Sequence, residues 1–423
     1  MSLRFFGSLF VCLTGSACGA GDASKMAPAD AEGDSGEASA GDVTWHGDIE
    51  NLVQSQCVRC HSADGQAPGD FSDVATVELL AEPILAAVEA GTMPPPVSDP
   101  SCRPYVGSEL MRLDEDEKAR LRSWVEGGMP RGEPGGGLGE VLPARLENPD
   151  AIIRMPEPYT PTFSQASEPG NEYRCFLLDP SEFAGQYITA IGPEVGEPGL
   201  MHHIVLSTVS RDDVDERHLD PQGWECMNGS PGIETDDMIA GFAPGTQPLV
   251  LPPGTGLQIP EDSYLLLDMH YFANPDAVGL ADQTGVALKL ADSVETPVFL
   301  MSLGMANFEI GAGDPAAEAR RAFPMRTDLD LYTMLPHMHG LGSAYNVKVE
   351  HTNGDETCVV EGGYSFDNQI TFLLEEPVAL AAGDKIDVRC EWDNSGGTED
   401  VRYGERTDEE MCFFFGLVGL RTD

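Results

Sequence analysis

The spacing of apolar residues divides the chain into parts with different expected secondary structure. Between residues 43 and 132, apolar side chains recur three and four positions apart, which is typical of amphipathic helices. Beyond residue 149, short runs rich in β-branched and aromatic residues alternate with segments rich in Gly, Pro and Asp, which is typical of antiparallel sheets. We therefore predict a small all-α domain over 43–132, followed by two all-β antiparallel, jelly-roll-like sandwiches over 149–296 and 297–423.

The remaining segments read as a targeting sequence and two linkers. Arg4 precedes a short apolar stretch, and residues 15–18 are similar to a bacterial lipoprotein cleavage site with Cys18 as the acylated residue. We predict a lipoprotein-like signal peptide over 1–18, with plain signal cleavage near Ala20 as the alternative. Residues 19–42 are predicted to be a flexible acidic linker and 133–148 a second linker. The protein is therefore expected to be exported to the bacterial cell envelope, either as a periplasmic protein or as an outer-membrane lipoprotein.

The charge balance excludes one class of partner. The chain has 71 acidic and 24 basic residues, a formal net charge of -47. Such a surface repels nucleic acid. The acidic residues are spread along the chain without EF-hand spacing, so we interpret them as a solvated surface. Contact with a membrane is expected only through the lipid anchor.

Cys57, Cys60 and His61 form a Cys-X-X-Cys-His motif, which is typical of a covalently attached c-type haem. His61 would be the proximal iron ligand, and Met93, on a proline-rich loop, is the predicted ligand on the opposite side. Met111 and Met129 are the competing candidates. Half of a zinc site or a disulfide is the alternative interpretation, but a zinc site needs a second ligand pair, which Cys102 alone does not supply. Residues 43–132 resemble small class I c-type cytochromes in motif and layout.

Histidines and one methionine suggest further metal ligands. His337 and His339 are two residues apart, so a regular strand would put both imidazoles on one face. The adjacent pair His202-His203 would serve one metal only at a bulge or a strand end. Taken alone, His270 would more often be a satisfied core residue. The chain contains no His-Glu-X-X-His and no Gly-X-Ser-X-Gly motif, which disfavours a zinc hydrolase and a serine hydrolase.

Four segments together resemble the copper type II, ascorbate-dependent monooxygenases, the family of peptidylglycine α-hydroxylating monooxygenase and dopamine β-hydroxylase. The segments follow the family's order: 200–206 with the His pair, 268–271 with the third His, 336–342 with His-X-His, and 408–412 with the Met. The resemblance covers residues 149–423. It implies two copper ions that lie on separate sandwiches across an open cleft.

The resemblance also implies a role for each ligand. His202, His203 and His270 would hold an electron-storing copper. The catalytic residues His337, His339 and Met411 would hold the copper that binds O2. A family disulfide carries over to Cys390–Cys412 and, more loosely, one to Cys175–Cys226, whereas Cys102 and Cys358 have no assigned partner.

Three departures from the family bear on the substrate. Leu335, Phe413 and Phe415 stand where the peptide-hydroxylating members have Arg, Asn and Tyr. Since that carboxylate clamp is missing, we expect a neutral, hydrophobic or aromatic small molecule. The predicted function is hydroxylation of a C–H bond with O2 by a copper-dependent monooxygenase. Electrons would come from an ascorbate-like reductant or an envelope redox protein, with the fused haem passing them on. The alternative is a non-catalytic copper/haem redox or electron-transfer protein.

Overall fold

The computed structural model describes residues 43–63, 67–135, 145–164, 170–226, 233, 238–243, 245–366, 368–404 and 408–421. The predicted signal peptide, including Cys18, and the 19–42 linker lie outside the described residues, as does most of the 133–148 linker. Among the described helices, none is both long enough and apolar enough to span a bilayer.

The α-helices of the described residues all lie in the first third of the chain. They are α1 (Glu50–Gln56), α2 (Val74–Leu79), α3 (Ala81–Glu89) and α4 (Glu115–Glu126), with a π-helical turn at Trp45–Ile49. Helix α4 is capped at its N-terminus by Asp114, whose side chain accepts from the Glu117 N–H in a capping box, and at its C-terminus by Gly127. Trp45 and Trp124, which are buried, centre a hydrophobic cluster that these helices share. Residues Ala40–Asp423, helices and strands together, form one unit.

The rest of the described chain is mostly β-structure. In chain order the strands are β1 (Ala151–Arg154), β2 (Asn171–Leu178), β3 (Tyr187–Glu194), β4 (Met201–Ser210), β5 (Trp224–Glu225), β6 (Met238–Phe242), β7 (Leu249–Val250), β8 (Thr255–Gln258), β9 (Ser263–Phe272), β10 (Gly285–Ala291), β11 (Thr296–Met305), β12 (Glu309–Ile310), β13 (Ala317–Pro324), β14 (Leu329–His337), β15 (Gly342–Glu350), β16 (Glu356–Gly363), β17 (Phe372–Leu380), β18 (Lys385–Trp392), β19 (Val401–Arg402) and β20 (Cys412–Leu420). Four short 3-10 turns lie at Ser108–Leu110, Ser181–Phe183, Arg211–Asp213 and Glu216–Leu219.

One long sheet is common to the two halves of the β region. Its order is β1-β10-β3-β8-β11-β20-β14-β17, and β7 pairs with β3. The halves join where β11 runs parallel to β8, with Thr296 opposite Thr255; the other named strand pairs are antiparallel. One core includes apolar residues of the five-stranded sheet β5-β2-β9-β4-β6 and of this long sheet, and a second core includes those of the four-stranded sheet β13-β18-β15-β16. The two expected sandwiches are thus continuous through a shared sheet.

Three disulfides link these elements. Cys175–Cys226 and Cys390–Cys412 confirm the pairings that the family resemblance implies. The third bond joins Cys102, which follows the first three helices, to Cys358 on β16. Near it, Tyr105 and Met111 are buried in the core of the C-terminal half. The helical part is therefore fixed to the β region both covalently and by packing.

Candidate metal centres

The first candidate centre is the three-histidine site, formed by His202, His203 and His270. Strands β4 and β9 pair with His203 opposite His270, and the register shifts between Met201 and His203. This irregularity lets two adjacent histidines serve one site, as the sequence requires. The Nδ1 atoms of His202 and His203 are 3.1 Å apart, and those of His203 and His270 are 3.4 Å apart. One ligand atom of each residue lies within 4.8 Å of the others.

Neighbouring groups fix the orientation of His270. Its Nε2–H donates to Asn171 Oδ1 at 2.9 Å, so the lone pair is on Nδ1, which faces the other two histidines. Tyr173 stacks on the ring with centroids 4.1 Å apart. Burial, followed by the nearby His203 and His202, holds the pKa of His270 well below its ordinary value. A neutral imidazole is the form that binds a metal, so the side chains present fit a copper ion.

The second candidate centre is the His-X-His site, formed by His337, His339 and Met411. His337 ends β14 and His339 lies just beyond it, with their ring centroids 5.4 Å apart. The Nδ1–H of His337 donates to Gln369 Oε1 at 2.7 Å, and that of His339 donates to the Glu409 carbonyl at 3.0 Å. Both rings therefore keep Nε2 as the ligand atom. Burial, and then the proximity of His339, lowers the pKa of His337 to about 4.

Strand pairing brings Met411 alongside His339. His337 is opposite Phe413 in the antiparallel pair of β14 and β20. His339 and Met411 each lie two residues beyond the end of this pair, and the Glu410 carboxylate accepts from the backbone N–H of both. The Cys390–Cys412 disulfide anchors the start of β20 next to Met411. The two imidazoles and the methionine thus come from adjacent backbone segments, and a thioether with two imidazoles suits Cu(I).

Glu410 was missed by the sequence reasoning, although it connects both halves of this site. Its carboxylate accepts hydrogen bonds from the backbone N–H groups of His339 (2.9 Å), Leu341 (2.7 Å) and Met411 (3.2 Å), and from Trp392 Nε1 (2.9 Å). The residue is 1% exposed, and burial raises the pKa of its carboxyl group. The only local signal was an acidic residue directly before the Met-Cys pair.

The two centres are close to each other. The Phe366 ring centroid is 6.3 Å from that of His203 and 6.0 Å from that of His339. The His203 and His339 rings are therefore no more than about 12.3 Å apart. The His-X-His site also meets an aromatic surface, since the Phe415 ring lies 6.2 Å from that of His337 and stacks with Phe413.

A third feature is the Cys-His cavity, about 610 Å³ in volume and lined by Cys57, Cys60 and His61. His61 Nδ1–H donates to the Pro68 carbonyl at 2.8 Å, which leaves Nε2 as the ligand atom, and the ring stacks on Phe71. Neither Cys57 nor Cys60 is part of a disulfide, so the disulfide alternative is not formed. Cys102 is bonded to Cys358, so it cannot complete a zinc site.

Of the three methionines considered as iron ligands, only Met93 lines the Cys-His cavity. Met111 is buried in the C-terminal core, and Met129 packs against the helical cluster. Part of the lining of the cavity belongs to the β region and includes His202 and Phe272. The cavity therefore borders the three-histidine site directly.

The comparisons with known proteins agree with these centres. Residues 161–278 match the N-terminal domain of copper type II ascorbate-dependent monooxygenase, and residues 315–417 match the C-terminal domain of the same family. Over 205 residues the chain is 26% identical to the peptidyl-glycine alpha-amidating monooxygenase of Mus musculus, covering 45% of this chain and 20% of the relative.

Two further relatives are similar over a longer stretch. DBH-like monooxygenase protein 1 of Gallus gallus is 23% identical over 272 residues, 58% of this chain and 44% of the relative. Its Homo sapiens counterpart is 23% identical over 309 residues, which cover 64% of this chain and 49% of the relative. The chain thus spans less than half of the length of these curated relatives. The two matched domains cover just over half of the chain and contain all six predicted copper ligands, so the chain belongs to the copper type II, ascorbate-dependent monooxygenase family.

Proposed function

We propose that the protein is a copper-dependent monooxygenase that hydroxylates a C–H bond of a small molecule. The observation that carries the proposal is the convergence of His202, His203 and His270 within a few ångströms of one another. The comparable arrangement of His337 and His339 beside the Met411 backbone supports a second copper. In the balanced reaction, O2, the C–H bond, two electrons and two protons give the hydroxylated product and water.

The two ligand sets are suited to different tasks. Bound copper would supply one-electron redox chemistry and O2 activation. Three imidazoles suit an ion that stores and releases an electron, whereas replacing one imidazole with the Met411 thioether favours the reduced ion that meets O2. Asn171, Gln369 and the Glu409 carbonyl each hold one histidine in the tautomer that its site requires.

The walls of the His-X-His site support a neutral, hydrophobic or aromatic substrate. Leu335 and Phe415 are opposite each other in the β14–β20 pair, and Phe413 stacks on Phe415. These positions offer no cation to pair with a carboxylate. Apolar walls leave an ionised substrate without a partner, which disfavours its binding.

Metal analysis and a substrate panel test this function. We expect two copper ions per chain, and hydroxylated aromatic or aliphatic product that contains label from isotopically labelled O2. A panel of matched compounds with and without a carboxylate should favour the neutral member of each pair. Copper-loaded protein that consumes O2 equally with and without any substrate, or not at all, would instead favour the non-catalytic redox function.

We further propose that residues 43–132 form a c-type cytochrome domain. Cys57 and Cys60 would hold the haem through thioethers, His61 would be its proximal ligand, and Met93 its second axial ligand. The Cys-His cavity supports this, because one apolar cavity collects the two thiols, the imidazole and the thioether. The presence of His202 in the lining of the same cavity supports electron delivery from this haem to the three-histidine site.

An O2 pulse tests electron delivery. The fully reduced protein is mixed with O2 and substrate while the haem absorbance is followed, and we expect the haem to be oxidised within the turnover. The control is the C57S/C60S variant, which cannot attach haem and should depend on an external reductant. A haem that stays reduced while product forms would refute delivery from the haem and leave the copper chemistry intact.

The remaining proposals concern location and partners. We propose export to the bacterial cell envelope, where an ascorbate-like reductant or a redox protein donates electrons and Cys18 carries a lipid anchor. Three disulfides support an oxidising compartment. Cell fractionation of the native chain and of C18S is the test: release of C18S alone from the membrane fraction supports the anchor, and an unchanged distribution refutes it.

A further inference from the structure

Phe366 contacts a candidate ligand of each metal centre. It lies in the connection between β16 and β17 and packs against the core of the C-terminal half. Its ring meets that of His203 at an interplanar angle of 83° and that of His339 at 77°. Both contacts are edge-to-face, a favoured geometry for aromatic pairs, so one ring packs against an imidazole of each site.

The same connection is held by the His-X-His site at two further points. The Tyr364 hydroxyl accepts from the Met338 N–H at 3.0 Å and donates to the Met338 carbonyl. The Gln369 amide donates to the Phe366 carbonyl at 3.0 Å, while its oxygen accepts from His337. The backbone around Phe366 is therefore fixed relative to His337 and His339, and the ring extends from there to His203.

We propose that Phe366 is a positioning residue that sets the spacing of the two metal centres and fills the space between them. This inference depends on the proposed function for the identity of the metals. An electron passing between the centres would then cross a protein side chain. In such a transfer the three-histidine site would lose one electron and the His-X-His site would gain it, with no bond made and no proton moved.

The first test needs no copper. In copper-depleted, reduced protein, NMR of labelled histidine rings compares the native chain with F366L, which keeps apolar bulk but has no ring. Because the ring lies against both imidazoles, we expect the signals of His203 and His339 to shift together. The signal of His351 serves as the internal reference and should not move in F366L. The matched control is F323L, on β13, which should leave the signals of His203 and His339 in place. A shift at only one of the two histidines, or at neither, overturns the proposal.

The second test measures the spacing itself. Pulsed electron paramagnetic resonance of the copper-loaded, oxidised protein should give one narrow distance in the native chain, in F323L and in F366Y. We expect F366A to give a broader or longer distribution. An unchanged distribution in F366A overturns the role as a spacer. If the native chain binds fewer than two coppers, the proposed function fails, and the copper-free test still decides whether Phe366 couples the two histidine clusters.

A functional consequence can be measured alongside. Displacing a reacting group by about 1 Å can cost on the order of 100-fold in rate. We therefore expect F366A to form far less product per O2 consumed than F366Y, at equal copper content. Equal yields from F366A and the native chain would contradict the proposal.

Discussion

Replacing Glu410 with Gln should lower the free energy of unfolding and weaken copper binding at the His-X-His site, without weakening it at the three-histidine site. One carboxylate oxygen accepts from the N–H groups of His339 and Met411 and from Trp392 Nε1, and the other accepts from the Leu341 N–H at 2.7 Å. The side-chain oxygen of glutamine can replace the first of these carboxylate oxygens. The glutamine NH2 group then faces the Leu341 N–H, and both groups are donors. The substitution therefore removes one acceptor without changing the size of the side chain.

The size of the effect follows from the donors left without a partner. An unsatisfied buried donor costs about 1–3 kcal/mol, and hydrogen bonds to a charged acceptor are stronger than those to a neutral one. Relief of the buried charge offsets part of this loss. We expect E410Q to lower the free energy of unfolding by about 1–3 kcal/mol. E410A should lower it by more, because all four donors lose their acceptor.

The copper sites should respond unequally. Glu410 joins the backbone of His339 to that of Met411, so its loss loosens the His-X-His site and leaves the three-histidine site intact. Changes to groups that orient metal ligands typically weaken affinity about 10–100-fold. Bound copper at a limiting free concentration should therefore fall from two ions per chain towards one. Urea denaturation of copper-free protein gives the first quantity, and elemental analysis after equilibrium dialysis gives the second.

E376Q provides the matched control, because it makes the same change on an exposed position of β17. It should leave both the unfolding midpoint and the copper content unchanged. If E410Q unfolds like the native chain and keeps two coppers, the carboxylate does not hold the site together, and the reasoning is wrong.

Three further predictions concern other parts of the molecule. N171L removes the acceptor that orients His270 and should weaken copper binding at the three-histidine site about 10–100-fold, with the other site unaffected in competition titrations. C102S/C358S should lower the free energy of unfolding by about 2–4 kcal/mol in urea; an unchanged value would mean that the bond does not constrain the chain. The third prediction concerns Asp384. Burial raises the pKa of its carboxyl group, but hydrogen bonds from two backbone N–H groups and from His351 lower it by more. The net pKa is therefore below the ordinary value. Since the folded pKa is depressed, D384N should be less stable than the native chain near pH 7 and lose that difference as the pH falls below about 4; a constant difference would contradict this.

The candidate ligands could be predicted from sequence because their signals are local. The His-X-His spacing predicts two imidazoles on one side of a strand, and the structure brings the rings of His337 and His339 to 5.4 Å. The adjacent pair His202-His203 requires a break in strand register, and the register shifts at that point. In both cases strand periodicity states what a shared site requires, whereas the family resemblance implied the ligand sets themselves.

The groups that orient those ligands could not be predicted in this way. Asn171 precedes its partner His270 by 99 residues, and Glu410 follows His339 by 71. The bond between Cys102 and Cys358 spans 256 residues. No local pattern specifies such pairs, since they depend on which strands become neighbours. The parallel pairing of β8 with β11, which joins the two halves, is a long-range choice of the same kind.

The adjacent histidines of β4 explain how the three-histidine site can border both the Cys-His cavity and Phe366, which contacts the His-X-His site. His202 lines the Cys-His cavity, whereas the ring of its neighbour His203 contacts Phe366. In a regular strand these side chains would diverge to opposite faces and could not share an ion. The register shift between Met201 and His203 brings both Nδ1 atoms together while the two rings still border different neighbours. Under the proposed function, the electron-storing copper would therefore border both the cavity of the group that supplies its electron and a side chain that contacts the receiving site.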